Sequence, residues 1–319
     1  MGCPNRHIAL EYYHKEPANL PDNVIWIGNT ASNMVDVANE STGTIFAGQV
    51  IEHLWAPELA GFMLEASRVL KPAGRIIIDS PNEIIVRQSG WNHPEHTIEL
   101  QPQDISSLLS LAGFEVTKLV GHWLCRSGSG KPLPLLGDET DTAESIDLRI
   151  SEGISMPQDS FSCWVEARKA REPRSAALVS FVAELWNKHW STRIHRQMYT
   201  QTSEWRVRQG RIVATAPLGW SGLLAFGPCA PLPAGRSLVG FEVEPYRADG
   251  SPGKIEVVSA DHGTLAETSL APILLRREKV WLEINLPTPV FGLEFRLHAN
   301  GRAEVTAAIG PDVVISLCH

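Results

Sequence analysis

Between residues 23 and 126, short apolar runs alternate with segments of helical period. Asn23-Val24-Ile25-Trp26-Ile27 closes on Gly28, Thr44-Ile45-Phe46-Ala47 closes on Gly48, and residues 75–79 form a third run ending in Asp79. Runs of this length bounded by glycine predict buried strands of a mostly parallel sheet. Pro57 opens a segment whose apolar residues Leu59, Phe62, Met63, Ala66, Val69 and Leu70 recur at three and four, and Lys71-Pro72-Ala73-Gly74 stops it. That is an amphipathic helix with a marked end. A second helix is expected over residues 102–112, with Ile105, Leu108, Leu109 and Ala112 on one face and Gly113 just past its end, where a left-handed residue is favoured. Residues 114–120 and 122–125 read as two closing strands, antiparallel across a bend at Gly121.

The pattern then weakens. Residues 127–160 are rich in Ser, Gly, Pro and Asp and read as a long excursion or linker. Helical period returns at Ser175, with Leu178, Phe181, Val182, Leu185 and His189 on one face of a packed connecting helix. From residue 201 the texture is short β-type runs at 211–216, 222–226, 238–245, 254–259, 280–286, 293–298 and 303–309, separated by Gly, Pro and Asp turns. This spacing predicts an antiparallel β-sandwich of jelly-roll type. The predicted fold class is α/β plus all-β, divided as residues 1–126, a connecting stretch 127–200, and a sandwich 201–319.

Composition narrows the function classes. The chain has 319 residues, 43% hydrophobic and 20% charged, with net charge -8 and a pI near 5.8. An acidic balance carries no phosphate-backbone footprint, so nucleic acid is not an expected partner. Cys3, Cys125, Cys163, Cys229 and Cys318 show no CxxC spacing, which argues against a disulfide framework or a structural zinc site and for a reducing cytoplasm. No apolar run reaches the roughly 18 residues of a membrane helix.

The order of elements in residues 48–82, together with Ala47-Gly48-Gln49-Val50-Ile51-Glu52-His53-Leu54 and Arg68-Val69-Leu70-Lys71-Pro72-Ala73-Gly74, resembles the second half of a class I S-adenosylmethionine (SAM)-dependent methyltransferase of the "methyltransferase type 11" group. The resemblance implies a Rossmann-like domain with SAM as cofactor, bound at the carboxyl ends of the strands. It places Asn29, Thr30, Ala31 and Ser32 in the loop that meets adenine, and Gly48 and Gln49 against the methionine end. An ordinary strand-to-helix turn is the plainer account of residues 28–32. The segment Gly90-Trp91-Asn92-His93-Pro94-Glu95-His96-Thr97-Ile98-Glu99-Leu100 corresponds to the family's acceptor side. His53 and His96 are therefore the candidate catalytic bases, although either can serve as a structural hydrogen-bonding residue. The HxxH spacing alone is a weak metal signal, and no metal site is predicted.

The family's glycine-rich first turn and its acidic ribose-binding residue have no counterpart before Gly48, and the first 25 residues do not hold two strands and a helix. The chain is expected to be incomplete or degraded at its start, with two open strand edges where a central strand belongs. The C-terminal half resembles, through residues 222–228, 231–236 and 293–301, β-sandwich modules of bacterial surface-polysaccharide enzymes. That resemblance implies a glycan-related hydroxyl as methyl acceptor, with Trp205, Trp220, Tyr246 and Trp281 as candidates for stacking on sugar. The rival expectation is a non-catalytic glycan-binding or scaffolding protein that keeps a methyltransferase relic. Oligomeric state is not legible.

Overall fold

The computed structural model describes residues 6–11, 14–91, 93, 96–135, 142–196, 198–208 and 211–315. Asn92, Pro94, Glu95, Cys3 and Cys318 lie outside the described residues. The chain forms two compact units, Met1–Leu185 and Trp186–His319. None of the described helices is long and apolar enough to cross a membrane.

The first unit runs β1 (His7–Leu10), β2 (Val24–Ile27), β3 (Thr42–Gly48), a 3-10 turn (Ile51–His53), α1 (Ala56–Val69), β4 (Leu70–Pro81), α2 (Glu83–Ser89), α3 (Pro102–Leu111), β5 (Phe114–Leu124), α4 (Ala143–Ser155), a second 3-10 turn (Pro157–Asp159) and β6 (Ser160–Lys169). The helix α5 (Ser175–Arg196) spans the divide between the units. β1 and β2 pair in parallel as a two-stranded sheet, and β3-β4-β6-β5 form a second sheet, parallel between β3 and β4 and antiparallel thereafter.

β1 is a departure from the pattern, which predicts no strand before residue 23. Four residues, His-Ile-Ala-Leu, are too few to show a period. Among the described residues β1 pairs only with β2 and β3 only with β4. Residues of both strands line one cavity of about 890 Å³, with Ala31, Met34, Val37, Val50, Phe62 and Val69.

α1 follows its pattern closely. Glu58 accepts from the Trp55 backbone N–H at 3.0 Å, closing the first turn, and Leu59, Phe62, Met63, Ala66 and Val69 are buried. On its other side α1 fixes the loop after β2. The Glu65 carboxylate accepts from the Met34 N–H at 2.7 Å, and Arg68 donates to the Met34 and Val37 carbonyls at 2.8 and 2.9 Å. Lys71–Gly74 is not a turn before the strand. It lies within β4 as a bulge: Thr42 pairs with Leu70 but Thr44 pairs with Arg75, and Ala73 takes φ 60°.

Two expectations fail together. β5 is one continuous strand, with no bend at Gly121, because β6 pairs with it from Phe114↔Lys169 to Leu124↔Ser160. A Cβ at Gly121 would lie 2.4 Å from Ser160 Oγ and 2.6 Å from the Gly153 carbonyl, so the glycine permits close packing of α4 on β5. Residues 143–169, which begin inside the stretch read as an excursion or linker, belong to the first unit. They supply α4 and β6, and β6 is an inner strand of the sheet, with Cys163, Val165 and Ala167 fully buried. Its high share of polar residues hides it from a search for apolar runs.

Burial pushes the Cys163 thiol up to about 12, with the Asp79 and Glu52 carboxylates adding to the effect, and it also raises that of Cys125. Only a thiolate reacts readily. Neither cysteine should be modified by a disulfide reagent at pH 8 until the protein is unfolded, as thiol mass labelling of native and denatured samples would report.

The second unit is β-rich. Its strands are β7 (Trp205–Arg208), β8 (Arg211–Ala216), β9 (Ser221–Ala225), β10 (Pro228–Leu232), β11 (Gly235–Val243), β12 (Tyr246–Arg247), β13 (Gly253–Ser259), β14 (Gly263–Ser269), β15 (Ile273–Leu274), β16 (Glu278–Leu286), β17 (Val290–Asn300), β18 (Val305–Ala308) and β19 (Asp312–Ile315). One sheet is ordered β10-β17-β13-β14 with β9 on β17, and another β16-β11-β18-β8-β7 with β19 on β11. All these pairings are antiparallel. Val239, Phe241 and Val243 of β11 are buried at alternate positions, as are Leu293, Phe295 and Leu297 of β17. This is the period of strands with one covered face.

Of the four proposed stacking residues, Tyr246 is buried and donates its hydroxyl to the Ala271 carbonyl at 2.7 Å. It is a core residue and leaves the set. Trp205 and Trp281 are 57% and 41% exposed. The Trp281 ring lies against Gly240, where a Cβ would come within 2.5 Å of it.

Candidate functional site

The carboxyl ends of β3 and β4 organise the site. Past β3, Gln49 adopts φ 54°, its N–H donates to the Asp79 carbonyl at 2.8 Å, and its side-chain amide donates to Asp79 Oδ2 at 2.9 Å. His122 of β5 approaches Asp79 Oδ1 at 3.6 Å, and the Trp164 ring stands 6.1 Å from His122 and 5.7 Å from Phe46. Asp79, His122 and Trp164 were not singled out by sequence reasoning. The only sign of them was the acid ending the run Arg75-Ile76-Ile77-Ile78-Asp79.

The 3-10 turn after β3 buries Ile51 and Glu52 completely and leaves His53 half-buried. Residues 96–98 are stitched to it. The Glu52 carbonyl accepts from the Thr97 and Ile98 N–H groups at 2.8 and 3.2 Å, and the Thr97 hydroxyl donates to the Glu52 and Leu54 carbonyls at 3.1 and 2.6 Å. These bonds bring together His53 and His96, 43 positions apart, with ring centroids 4.8 Å apart and planes perpendicular. His96 is buried, and its Nδ1 lies 3.2 Å from Glu99 Oε1. The His93 ring stacks on His96 at 4.4 Å, and Trp91 meets it edge-on at 5.4 Å.

Glu52 is the least expected member. Its Oε2 accepts from the Ser80 hydroxyl at 3.1 Å, whereas Oε1 is buried with no hydrogen-bond partner among the described residues. Burial raises its carboxyl to about 7, against the opposing effects of its own backbone N–H, His96 and Ser80. A carboxylate this short of partners is costly. The sequence signal was its place beside His53 in the segment Ala47–Leu54 that resembles the family, where no role was assigned to it.

The predicted cofactor residues are placed unevenly. Ala31 lines the cavity between β1 and β3, as do Ala47 and Val50, which flank Gly48 and Gln49. Asn29, Thr30 and Ser32 bond within their own turn: Asn29 Oδ1 accepts from the Thr30 N–H at 2.8 Å, and the Thr30 and Ser32 hydroxyls are 3.0 Å apart. α1 presses on this turn through Gly61, where a Cβ would sit 3.0 Å from the Ser32 carbonyl. No helix follows β2 before β3 among the described residues. The Phe46 ring covers Gly48, 2.6 Å from where a Cβ would be.

Residues 6–78 match the family model described as "Methyltransferase domain". Over 123 residues the chain is 38% identical to a probable S-adenosylmethionine-dependent methyltransferase of Mycolicibacterium smegmatis, covering 36% of this chain and 46% of that protein. A Mycobacterium tuberculosis protein described in the same words is 31% identical over 127 residues, covering 38% and 45%. The matched part of the first unit is similar to SAM-dependent methyltransferases. The chain spans less than half the length of the curated relatives it matches. Among solved structures, a SAM-dependent methyltransferase from Archaeoglobus fulgidus aligns with 45% of this chain and 67% of its own at 18% identity and a TM-score of 0.32.

Proposed function

We propose that this protein transfers a methyl group from SAM to a hydroxyl of a small-molecule or glycan acceptor. The observation that carries the reading is the pairing of His53 with His96 at the end of a strand that belongs to the matched methyltransferase segment. In this reading SAM occupies the side of Asn29–Ser32 and Gly48-Gln49, reached from the cavity lined by Ala31, Ala47 and Val50, whose volume falls within the usual range for small-molecule sites. The sulfonium methyl is already electrophilic. The protein's part is alignment and removal of the acceptor's proton.

His53 suits the base, being half-buried and open to an acceptor, while His96 is enclosed and oriented by Glu99. An imidazole has the proton affinity to accept a hydroxyl proton near neutral pH. The β-rich unit, jelly-roll-like in this reading, tethers the acceptor or its carrier through Trp205 and Trp281.

Incubation with methyl-labelled SAM and a panel of hydroxylated sugars should give label transfer that depends on His53. SAM binding without transfer to any acceptor, together with calorimetric binding of oligosaccharide, would favour instead a glycan-binding protein carrying an idle methyltransferase unit. The exposure of Trp205 and Trp281 motivates that second reading.

A further inference from the structure

We propose that Glu52, His53 and His96 form a binding site for one divalent transition-metal ion of the zinc class. Each of the three offers a ligand atom, and these atoms lie within 4.8 Å of one another. Zinc bonds to imidazole nitrogen and carboxylate oxygen are about 2.0–2.2 Å long, so ligand atoms around one ion sit roughly 3.3–4.2 Å apart. Small side-chain rotations close the remaining distance.

The strongest sign is Glu52. It is fully buried, yet among the described residues its Oε1 has no hydrogen-bond partner while Oε2 is held by Ser80. A cation would supply the missing partner and compensate the buried charge, which surrounding dipoles leave only half satisfied.

His96 adds a second sign. Its Nδ1 faces Glu99 Oε1 at 3.2 Å, the carboxylate–histidine arrangement that fixes a ligand's tautomer and presents Nε2 to an ion. The backbone also suits the task, because Thr97 ties the loop of His96 to the turn that carries Glu52 and His53. A set of two imidazoles and one carboxylate selects zinc, cobalt or iron over magnesium and calcium, which prefer oxygen donors. Three protein ligands leave a coordination position for solvent or an acceptor oxygen. The inference goes beyond methyl transfer and does not rest on it; an ion held by His53 occupies the lone pair that would take an acceptor's proton, so the base role of His53 belongs to the ion-free protein.

The test uses the full chain, stripped with a chelator and desalted, with no SAM or acceptor present. Zinc is titrated in competition with a chromophoric chelator, and cobalt is followed by its visible absorption. One ion per chain is expected, with cobalt bands of a four- or five-coordinate site. His53→Ala and His96→Ala should each weaken zinc binding by about 10²-fold or more, and Glu99→Gln by roughly 10- to 100-fold. His262→Ala, at an exposed position, should change nothing. Circular dichroism checks each variant's fold, and if the buried His96→Ala fails to fold, the half-buried His53→Ala carries the test. Zinc binding by the wild type no tighter than by His53→Ala, or binding lost in His262→Ala, overturns the proposal. Because neither cofactor nor acceptor is present, this outcome is separate from success or failure of the methyl-transfer assay.

Discussion

Asn82→Ala should lower the stability of the first unit by about 3 kcal/mol, among the largest single-residue losses in the chain. Asn82 is fully buried at the end of β4. Its side-chain amide donates to the carbonyls of Pro157, Gln158 and Ser160 at 3.3, 3.0 and 3.1 Å, and its Oδ1 accepts from the Ile84 N–H at 3.2 Å, capping α2. One side chain thus joins the end of a central strand, the start of a helix and the turn that leads into β6. Alanine removes the cap, which costs about 1 kcal/mol, and leaves buried carbonyls without donors, which costs about 1–3 kcal/mol each where water cannot replace them. Asn82→Asp should be worse at neutral pH, since a carboxylate would face the same carbonyls. Urea unfolding of wild type and both variants measures this. A loss below about 1 kcal/mol for alanine would mean that solvent reaches the Pro157–Ser160 segment and that Asn82 is not its main tie.

α1, α3 and β3 were legible because each is bounded by local signals: Pro57 and Pro102 at helix starts, Gly113 at a helix end, and a β-type run closing on Gly48. Gly113 has φ 93°, and a Cβ there would lie 2.2 Å from the Arg171 carbonyl, so both its handedness and its contact demand glycine. β6 was not legible. Its sequence, Ser160-Phe161-Ser162-Cys163-Trp164-Val165-Glu166-Ala167-Arg168-Lys169, follows a polar stretch and breaks its alternation at Cys163-Trp164-Val165, and what makes it an inner strand is pairing with β4 and β5 some 40 to 90 positions earlier. Gly121 misled for a related reason. A glycine between two β runs suggests a turn, but here it makes room for α4.

The site divides in the same way. His53 and His96 were identifiable as residue types in loops that follow strands, but their contact depends on Thr97 reaching back to Glu52 and Leu54. No periodicity encodes that bond. Glu52, Glu99 and His93 become meaningful only once the loop is docked, when one is buried without a full set of partners, one orients an imidazole and one stacks upon it. Asn29, Thr30 and Ser32 show the converse. Their polar groups find partners in their own turn, so the residue types that suggested adenine recognition also suffice to build the loop.

The two histidines should separate in kinetics. His53→Ala is expected to lower kcat for methyl transfer by roughly 10²-fold or more while leaving SAM affinity nearly unchanged, because the base acts on the acceptor's proton and not on the cofactor. His53 is half-buried, and circular dichroism of the variant checks that the fold persists. His96→Ala should differ in kind. It strips Glu99 of its imidazole partner inside a closed site, next to the buried Glu52 carboxyl, so stability should fall by about 1–3 kcal/mol along with turnover. Glu99→Gln keeps the shape of the pair and should reduce kcat less than His53→Ala does, since it disturbs only the ring that packs behind the base. Running all three variants in the presence of a chelator keeps proton transfer apart from ion binding. If His53→Ala retained near-full turnover while His96→Ala lost it without unfolding, the buried histidine would be the base and the acceptor would have to enter beneath the stacked ring of His93. If both retained turnover, proton removal by this cluster would be ruled out and alignment of an already reactive acceptor would account for the chemistry.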